Sequence, residues 1–259
     1  MREFNKADHW DSAAERYEQT AHPYTAGYVE AALANVPLTP ASRVLDVAAG
    51  TGALALAAAR TGAQVLATDF SPGMVARIAA RAVPNIEARV MDGQALDLPD
   101  AGFDAVFSFF GVFMFPDWRR GLAEMARVTR AGGYGVVAVW QDRGAGAFLL
   151  LGQLIRKLFP ERDLAPMPEA MSILSTAEGL AGELAAAGYR DSQIEFVTRD
   201  FDLDTAAVDD LDALFGPSPD WTGLDAEQKA VIVSELRRIV GGRATLPIPS
   251  TALIGIARR

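Results

Sequence analysis

The chain has 259 residues, with 24 Lys and Arg against 33 Asp and Glu, two His and no Cys, and its net charge near neutral pH is −9. Half of the residues are hydrophobic and 22% are charged, which excludes wholesale disorder and suits one large domain or a domain with a sizeable insertion. The lack of Cys excludes a disulfide scaffold, a thiolate nucleophile and a Cys-ligated metal, two His leave little room for an imidazole metal cluster, and the acidic balance argues against a nucleic-acid groove.

In chain order, Met1 to Asp11 is polar and charged and lacks the apolar core of a signal peptide, which predicts a cytoplasmic protein. Residues 1–36 read as amphipathic helices broken at His22-Pro23. From Ser42 to Trp140 short apolar runs alternate with helical stretches, the pattern of βαβ units in a parallel sheet covered on both faces. The predicted strands are Arg43–Ala48, Gln64–Thr68, Ile86–Met91, Asp104–Ser108 and Tyr134–Trp140. Between them, Ala53–Thr61 is Ala- and Leu-rich and stops at Gly62. Ser71-Pro72 pairs an N-cap with Pro at the first helical position, and Asp117 to Arg130 stops at Gly132-Gly133. This is the doubly wound α/β plan. Val106 to Phe115 is the longest apolar run, about half of the ~20 residues a bilayer span needs, and no membrane association is expected.

Beyond residue 143 the character changes. An apolar helix, Ala147–Phe159, runs into a turn with Pro160, Pro166 and Pro168. A helix at Thr176–Ala187 leads to a strand near Gln193–Arg199. Residues 200–228 hold nine Asp and Glu and no Lys or Arg, read as a solvated face. A helix near Asp225–Val240 and a strand at Ser250–Ala257 follow.

Open parallel sheets bind ligands beyond the carboxyl ends of their strands. After the first strand comes Ala48-Ala49-Gly50-Thr51-Gly52, where glycine lets backbone N–H groups approach a ligand and permits positive φ. Asp69 closes the second strand, nineteen residues after Gly50, where a carboxylate can accept from ribose hydroxyls. Gly50-Thr51-Gly52-Ala53-Leu54-Ala55 also fits a dinucleotide fingerprint, G-x-G-x-x-A. Asp46 argues against that alternative, because a carboxylate near the turn repels a pyrophosphate and attracts a sulfonium or ammonium group.

Five segments carry a wider likeness: Val44-Leu45-Asp46-Val47-Ala48-Ala49-Gly50-Thr51-Gly52, Asp69-Phe70-Ser71-Pro72-Gly73-Met74, Asp92-Gly93-Gln94-Ala95-Leu96-Asp97-Leu98-Pro99, Phe103-Asp104-Ala105-Val106-Phe107-Ser108 and Arg127-Val128-Thr129-Arg130-Ala131-Gly132-Gly133. In their order and spacing the chain resembles the class I S-adenosylmethionine-dependent methyltransferases, in particular the small-molecule, UbiE-like (methyltransferase type 11) branch. Trp10-Asp11 with Ala14 and Tyr17 resembles that branch's N-terminal helix. Ala48 departs from the pattern, since many members have glycine there.

The resemblance implies a Rossmann-like, mostly parallel seven-stranded sheet with the last strand antiparallel and a helical lid. It divides the chain into an N-terminal helical lid segment (1–36), an S-adenosylmethionine-binding core (37–143), a helical lid insertion (144–175) and a C-terminal part of the sheet (176–259) with an acidic helical cap at about 202–246. It implies S-adenosyl-L-methionine as cofactor and S-adenosyl-L-homocysteine as product. Ala48 to Gly52 would hold the methionine part of the donor, Asp69 the ribose, and Phe70 and Met74 the adenine. Asp92 would accept from the adenine amino group, with Gly93 and Gln94 bordering the ring. Ser108 and Phe109 would lie beneath the methionine chain and Tyr17 over its carboxylate. Core packing is the competing reading of Phe70 and Met74.

His22 and Tyr24, beside Pro23, are the candidate base and acceptor-binding hydroxyl; the competing reading is that they only fasten the N-terminal segment. An Asn/Asp-Pro-Pro-Tyr turn that clasps planar amino groups is lacking after the fourth strand, where the chain instead reads Ser108-Phe109-Phe110-Gly111-Val112-Phe113-Met114-Phe115-Pro116. The expected acceptor is a small apolar or aromatic molecule contacting Phe110 and Phe113, methylated on C, N or O without a metal by a monomer or homodimer. An NAD(P)-dependent oxidoreductase and a non-catalytic S-adenosylmethionine-binding protein are the alternatives.

Overall fold

The computed structural model describes residues 6–141, 145–215 and 218–259. Seven strands form one sheet: β1 (Arg43–Val47), β2 (Gln64–Asp69), β3 (Ile86–Val90), β4 (Phe103–Phe109), β5 (Thr129–Trp140), β6 (Arg190–Asp204) and β7 (Thr245–Arg258). Their order is β3-β2-β1-β4-β5-β7-β6. The first five are parallel, with Val44 level with Val65 on one side and Ala105 on the other. β7 runs antiparallel to β5: Gly132 and Gly133 bond Arg259 near one end, and Gln141 bonds Thr251 near the other. The order reverses between β1 and β4, which opens a crevice at their carboxyl ends. Val44 to Val47 are all buried, so both faces of β1 are covered, as a parallel strand requires.

The helices are α1 (Ala7–Ala26), α2 (Val29–Ala34), α3 (Ala53–Ala59), α4 (Pro72–Ala79), α5 (Trp118–Val128), α6 (Gly146–Leu158), α7 (Glu169–Leu174), α8 (Ala177–Ala186), α9 (Leu211–Phe215), α10 (Pro219–Thr222) and α11 (Ala226–Val240). The Ser71 cap read from the sequence is made, its Oγ accepting from Met74 N–H, and Asp117 caps α5 by accepting from Arg120 N–H. The expected break at His22-Pro23 does not occur. α1 continues to Ala26 with Pro23 inside it, and because Pro23 stands in the last turn, its missing N–H and its clash with the preceding turn disturb few helical bonds.

The chain divides into two compact units. One comprises Met1–Val139, Ser172–Val197 and Ala252–Arg259; the other comprises Trp140–Met171 and Thr198–Thr251. The expected boundary at 143/144 lies outside the described residues, as do Met1 to Asn5. The second unit has its own core, in which Leu151, Ile155, Phe215, Trp221, Ile232 and Leu236 are buried together. Its acidic stretch is therefore more than a solvated face. Asp204, Asp212 and Asp225 are exposed, yet Asp212 accepts from Trp221 Nε1 at 2.7 Å and from Lys229 Nζ at 2.9 Å, and Asp225 caps α11. Between these carboxylates run the apolar residues that fill the core.

One close approach inside the first unit sets a firm constraint. A Cβ on Gly135 of β5 would stand 2.2 Å from the Tyr189 ring, and that ring is held by a 2.8 Å bond between the Tyr189 and Thr129 hydroxyls. Gly135→Ala is expected to destabilise the protein by about 1–3 kcal/mol through overpacking. At roughly 2–4 °C per kcal/mol, its thermal midpoint should fall by several degrees, which calorimetry would read.

Candidate active site

A cavity of about 330 Å³ lies in the first unit at the carboxyl ends of β1, β2 and β4. Its floor is the turn after β1. Gly50 takes φ +55°, and a Cβ there would lie 3.4 Å from Tyr17 Cε1, so the Tyr17 ring rests directly on the glycine. Asp69 holds this turn from below: its Oδ2 accepts from Gly50 N–H at 2.9 Å and its Oδ1 from Ser71 N–H at 3.0 Å. Burial raises the Asp69 pKa, while those backbone N–H groups oppose the shift.

Asp46 is fully buried beneath the same turn. Its Oδ2 accepts from Ala55 N–H at 3.1 Å, whereas Oδ1 is the one buried side-chain polar atom among the described residues without a hydrogen-bond partner. Burial, with Asp69 adding repulsion, pushes its pKa up to about 8. Tyr17 is pushed up to about 12 by burial and by the two carboxylates, so its hydroxyl stays protonated.

α1 forms another wall, contributing Trp10, Tyr17, His22 and Thr25. With Ala14 these residues recur at intervals that fall on one helical face. The helix is fastened to α4: Asp11 Oδ1 accepts from the Ser71 hydroxyl at 2.5 Å and from Gly73 N–H at 2.7 Å, Glu15 pairs with Arg77, and Glu18 pairs with Arg77 and Arg81. His22 Nδ1 lies 2.8 Å from Thr51 Oγ1. Its pKa is lowered by burial and by Arg81, against an opposing pull from Glu18, which favours the neutral imidazole.

Most of the residues expected from the sequence line this cavity: Tyr17, His22, Asp46, Ala48, Gly50, Asp69, Phe70, Met74, Asp92, Gly93, Gln94, Phe109 and Phe110. Asp92 Oδ1 accepts from the backbone and side-chain N–H groups of Gln94, whose Oε1 accepts from Asp117 N–H. Four expected residues lie off the wall. Gly52, at φ +87°, begins α3 against Ile78. Ser108 is buried, with its Oγ accepting from Val112 N–H at 3.0 Å. The Tyr24 hydroxyl bonds that of Tyr28 at 2.9 Å, and the Tyr28 ring meets Phe110 edge-on. Phe113, half-buried in the middle of the single 3-10 turn Val112–Met114, is not among the residues that line the cavity. Met114 and Phe115 line the cavity in its place, and Trp10, Thr25, Thr51 and Met91 also line it. The one-face spacing of α1 was the available signal for Trp10 and Thr25; nothing in the sequence announced the 3-10 turn.

Comparison with known proteins agrees with this geometry. Residues 44–133 match a methyltransferase domain. A demethylmenaquinone methyltransferase from Corynebacterium efficiens is 34% identical over 202 residues, covering 73% of this chain and 86% of the relative. Another from Mycolicibacterium gilvum is 35% identical over 199 residues, covering 71% and 86%. The crystal structure of a putative methyltransferase from Bacillus halodurans shares the fold, with a TM-score of 0.60 at 17% identity over 89% of this chain and 97% of that one. Among the described residues no helix is long and apolar enough to cross a membrane, and no three His, Asp or Glu are grouped to hold a metal ion. The chain belongs to the class I S-adenosylmethionine-dependent methyltransferases, in their UbiE-like branch.

Proposed function

We propose that this methyltransferase acts, without a metal, on a ring carbon of a small apolar aromatic acceptor of the quinol class. The observation that carries the reading is the cavity wall, which combines Phe109, Phe110, Met114 and Phe115 with one neutral imidazole, that of His22. The two relatives are demethylmenaquinone methyltransferases, which supports a quinone-derived ring as the acceptor. Only the reduced ring suits the reaction: a quinol carbon is nucleophilic, whereas the oxidised quinone is itself an electrophile.

The donor pocket fits the family's cofactor on one observation in particular, the unpartnered Asp46 Oδ1 buried at the cavity wall, which suits a cationic group. Asp46, the Gly50 backbone and Tyr17 would hold the methionine end and Asp69 the ribose. Phe70, Met74, Asp92, Gly93 and Gln94 would surround the adenine. Bound S-adenosylmethionine supplies a methyl group already activated by a positive sulfur, which leaves the chain to align the acceptor, exclude water and receive a proton. His22 receives that proton from the acceptor, its lowered pKa favouring the unprotonated ring that can accept it. Tyr24 supports the acceptor wall through Tyr28 and Phe110.

Product formation with 1,4-dihydroxynaphthalene carrying an alkyl chain tests the acceptor class. S-adenosylhomocysteine should accumulate with the reduced ring and not with the oxidised one; equal turnover on both would overturn the reading. His22→Ala is expected to lower kcat at saturating donor by roughly a hundredfold or more, with S-adenosylhomocysteine affinity nearly unchanged. A fully active variant would return His22 to fastening the helix.

Asp46 generates a prediction of its own. The folded protein holds its proton up to about pH 8, whereas the unfolded chain releases it near pH ~4. Between those limits the folded state binds more protons, so the stability of the ligand-free protein falls as pH rises through that window. Thermal midpoints measured from pH 5 to 8 should show this fall, and Asp46→Asn should flatten it. A cationic ligand reverses the preference, so calorimetry of S-adenosylmethionine near pH 7 in buffers of different ionisation enthalpy should show release of about one proton, lost in Asp46→Asn.

A further inference from the structure

We propose that Thr51 is a positioning residue for His22: its hydroxyl takes the Nδ1 hydrogen and thereby fixes Nε2 as the nitrogen that receives the acceptor's proton. The inference deepens the function proposed above and rests on the reading of His22 as the base.

Thr51 stands between Gly50 and Gly52 in the turn after β1, the turn that forms the donor side of the cavity. Both neighbours take positive φ, while Thr51 does not, so a β-branched residue fits the backbone there without being required by it. Its side chain is almost wholly buried, at 1% exposure, and a buried hydroxyl must find a partner. The partner is an imidazole 29 residues away on α1, at 2.8 Å. A residue of the glycine turn is thus bonded directly to an imidazole that lines the same cavity.

The chemistry follows from the two ring nitrogens. A neutral imidazole carries one hydrogen, and the bond at one nitrogen decides which nitrogen remains basic. With Nδ1–H donating to Thr51 Oγ1, Nε2 holds the lone pair. When Nε2 takes the acceptor's proton, the resulting imidazolium still donates from Nδ1 to the same oxygen, so the bond persists across the step without rearrangement. The charged groups that act on the ring are Glu18 from α1 and Arg81 just beyond α4, themselves paired with each other. Thr51 adds direction to the ring and no charge.

With only two His in the chain, nitrogen-resolved NMR of the whole protein separates His22 from His9 through His22→Ala. The expected spectrum at neutral pH in the presence of S-adenosylhomocysteine shows His22 with Nδ1 protonated and Nε2 bare. Thr51→Val should abolish that preference and Thr51→Ser restore it. A wild-type ring protonated on Nε2, or a Thr51→Val protein with the same tautomer and titration as the parent, would overturn the inference. Thr51→Ala serves the same purpose if the valine variant does not fold.

Turnover separates this inference from the reading it rests on. Thr51→Val should lower kcat by roughly tenfold or more at saturating donor. Thr51→Ser should stay close to the parent, and Thr51→Val should add nothing in a His22→Ala background. Additive losses would make Thr51 merely structural and overturn the inference alone. Full activity of His22→Ala would overturn the base reading, whatever tautomer the NMR had shown.

Discussion

Two buried carboxylates beneath one glycine turn are the constraint around which the first unit is organised. Asp46 ends no solvent-exposed loop; it sits inside β1, flanked by buried Val and Leu, with one oxygen tied to the start of α3 and the other without a partner. Asp69, at the end of β2, reaches across to the Gly50 amide and fixes the turn in place. Placing two carboxylates close together and out of water costs stability, and an ordinary core would fill the same space with apolar groups. The arrangement makes sense as preorganisation: the folding energy of the sheet holds open an electronegative pocket that a cationic donor can complete. The raised pKa of Asp46 expresses the same tension, since the protein without ligand relieves it by holding a proton.

The N-terminal helix completes the pocket through a different kind of interaction. α1 is joined to α4 by Asp11 at the amino end of α4 and by Glu15 and Glu18 against Arg77 and Arg81. Such exposed ion pairs contribute only about 0–1 kcal/mol each, so direction matters here more than strength. They orient a helix whose inward face brings Trp10, Tyr17, His22 and Thr25 to the cavity. Tyr17 depends on Gly50 for room, and His22 depends on Thr51 for its bond. The donor turn and the helix are therefore shaped to each other residue by residue.

Legibility from sequence followed the range of the interactions. The parallel strands and the cap at Ser71 were readable because they rest on local periodicity and on capping chemistry within a few residues. The cavity wall after β1 and β2 was readable because glycine, Asp46 and Asp69 announce backbone approach and charge directly. The continuity of α1 through Pro23 was not, because where a proline falls relative to the last turn depends on where tertiary packing lets the helix end. The exchange of Phe113 for Met114 and Phe115 on the wall was lost for a similar reason: one 3-10 turn after β4 changes the side-chain period, and no local residue signals it. Nor does sequence show that the buried hydroxyl of Thr51 and the ring of His22 are partners, since 29 residues and a helix crossing separate them.

Ala48 shows how a departure from a family pattern is absorbed. It takes φ +57°, a left-handed conformation that costs an L-residue about 1–2 kcal/mol and glycine almost nothing. A methyl group there also needs space, and the space comes from across the turn: a Cβ on Gly111 would lie 2.6 Å from the Ala48 Cβ, so only glycine at 111 lets alanine stand at 48. Gly111 follows Phe110, which itself takes φ +62° and lines the cavity. The two strained positions thus line one cavity, one at the end of β1 and one at the end of β4. Strain that survives in a packed interior is held there by its surroundings, and here the surroundings are the glycine turn and the aromatic wall. The methyl group of Ala48 and the ring of Phe110 both line the cavity, so the two strained positions help to set its shape.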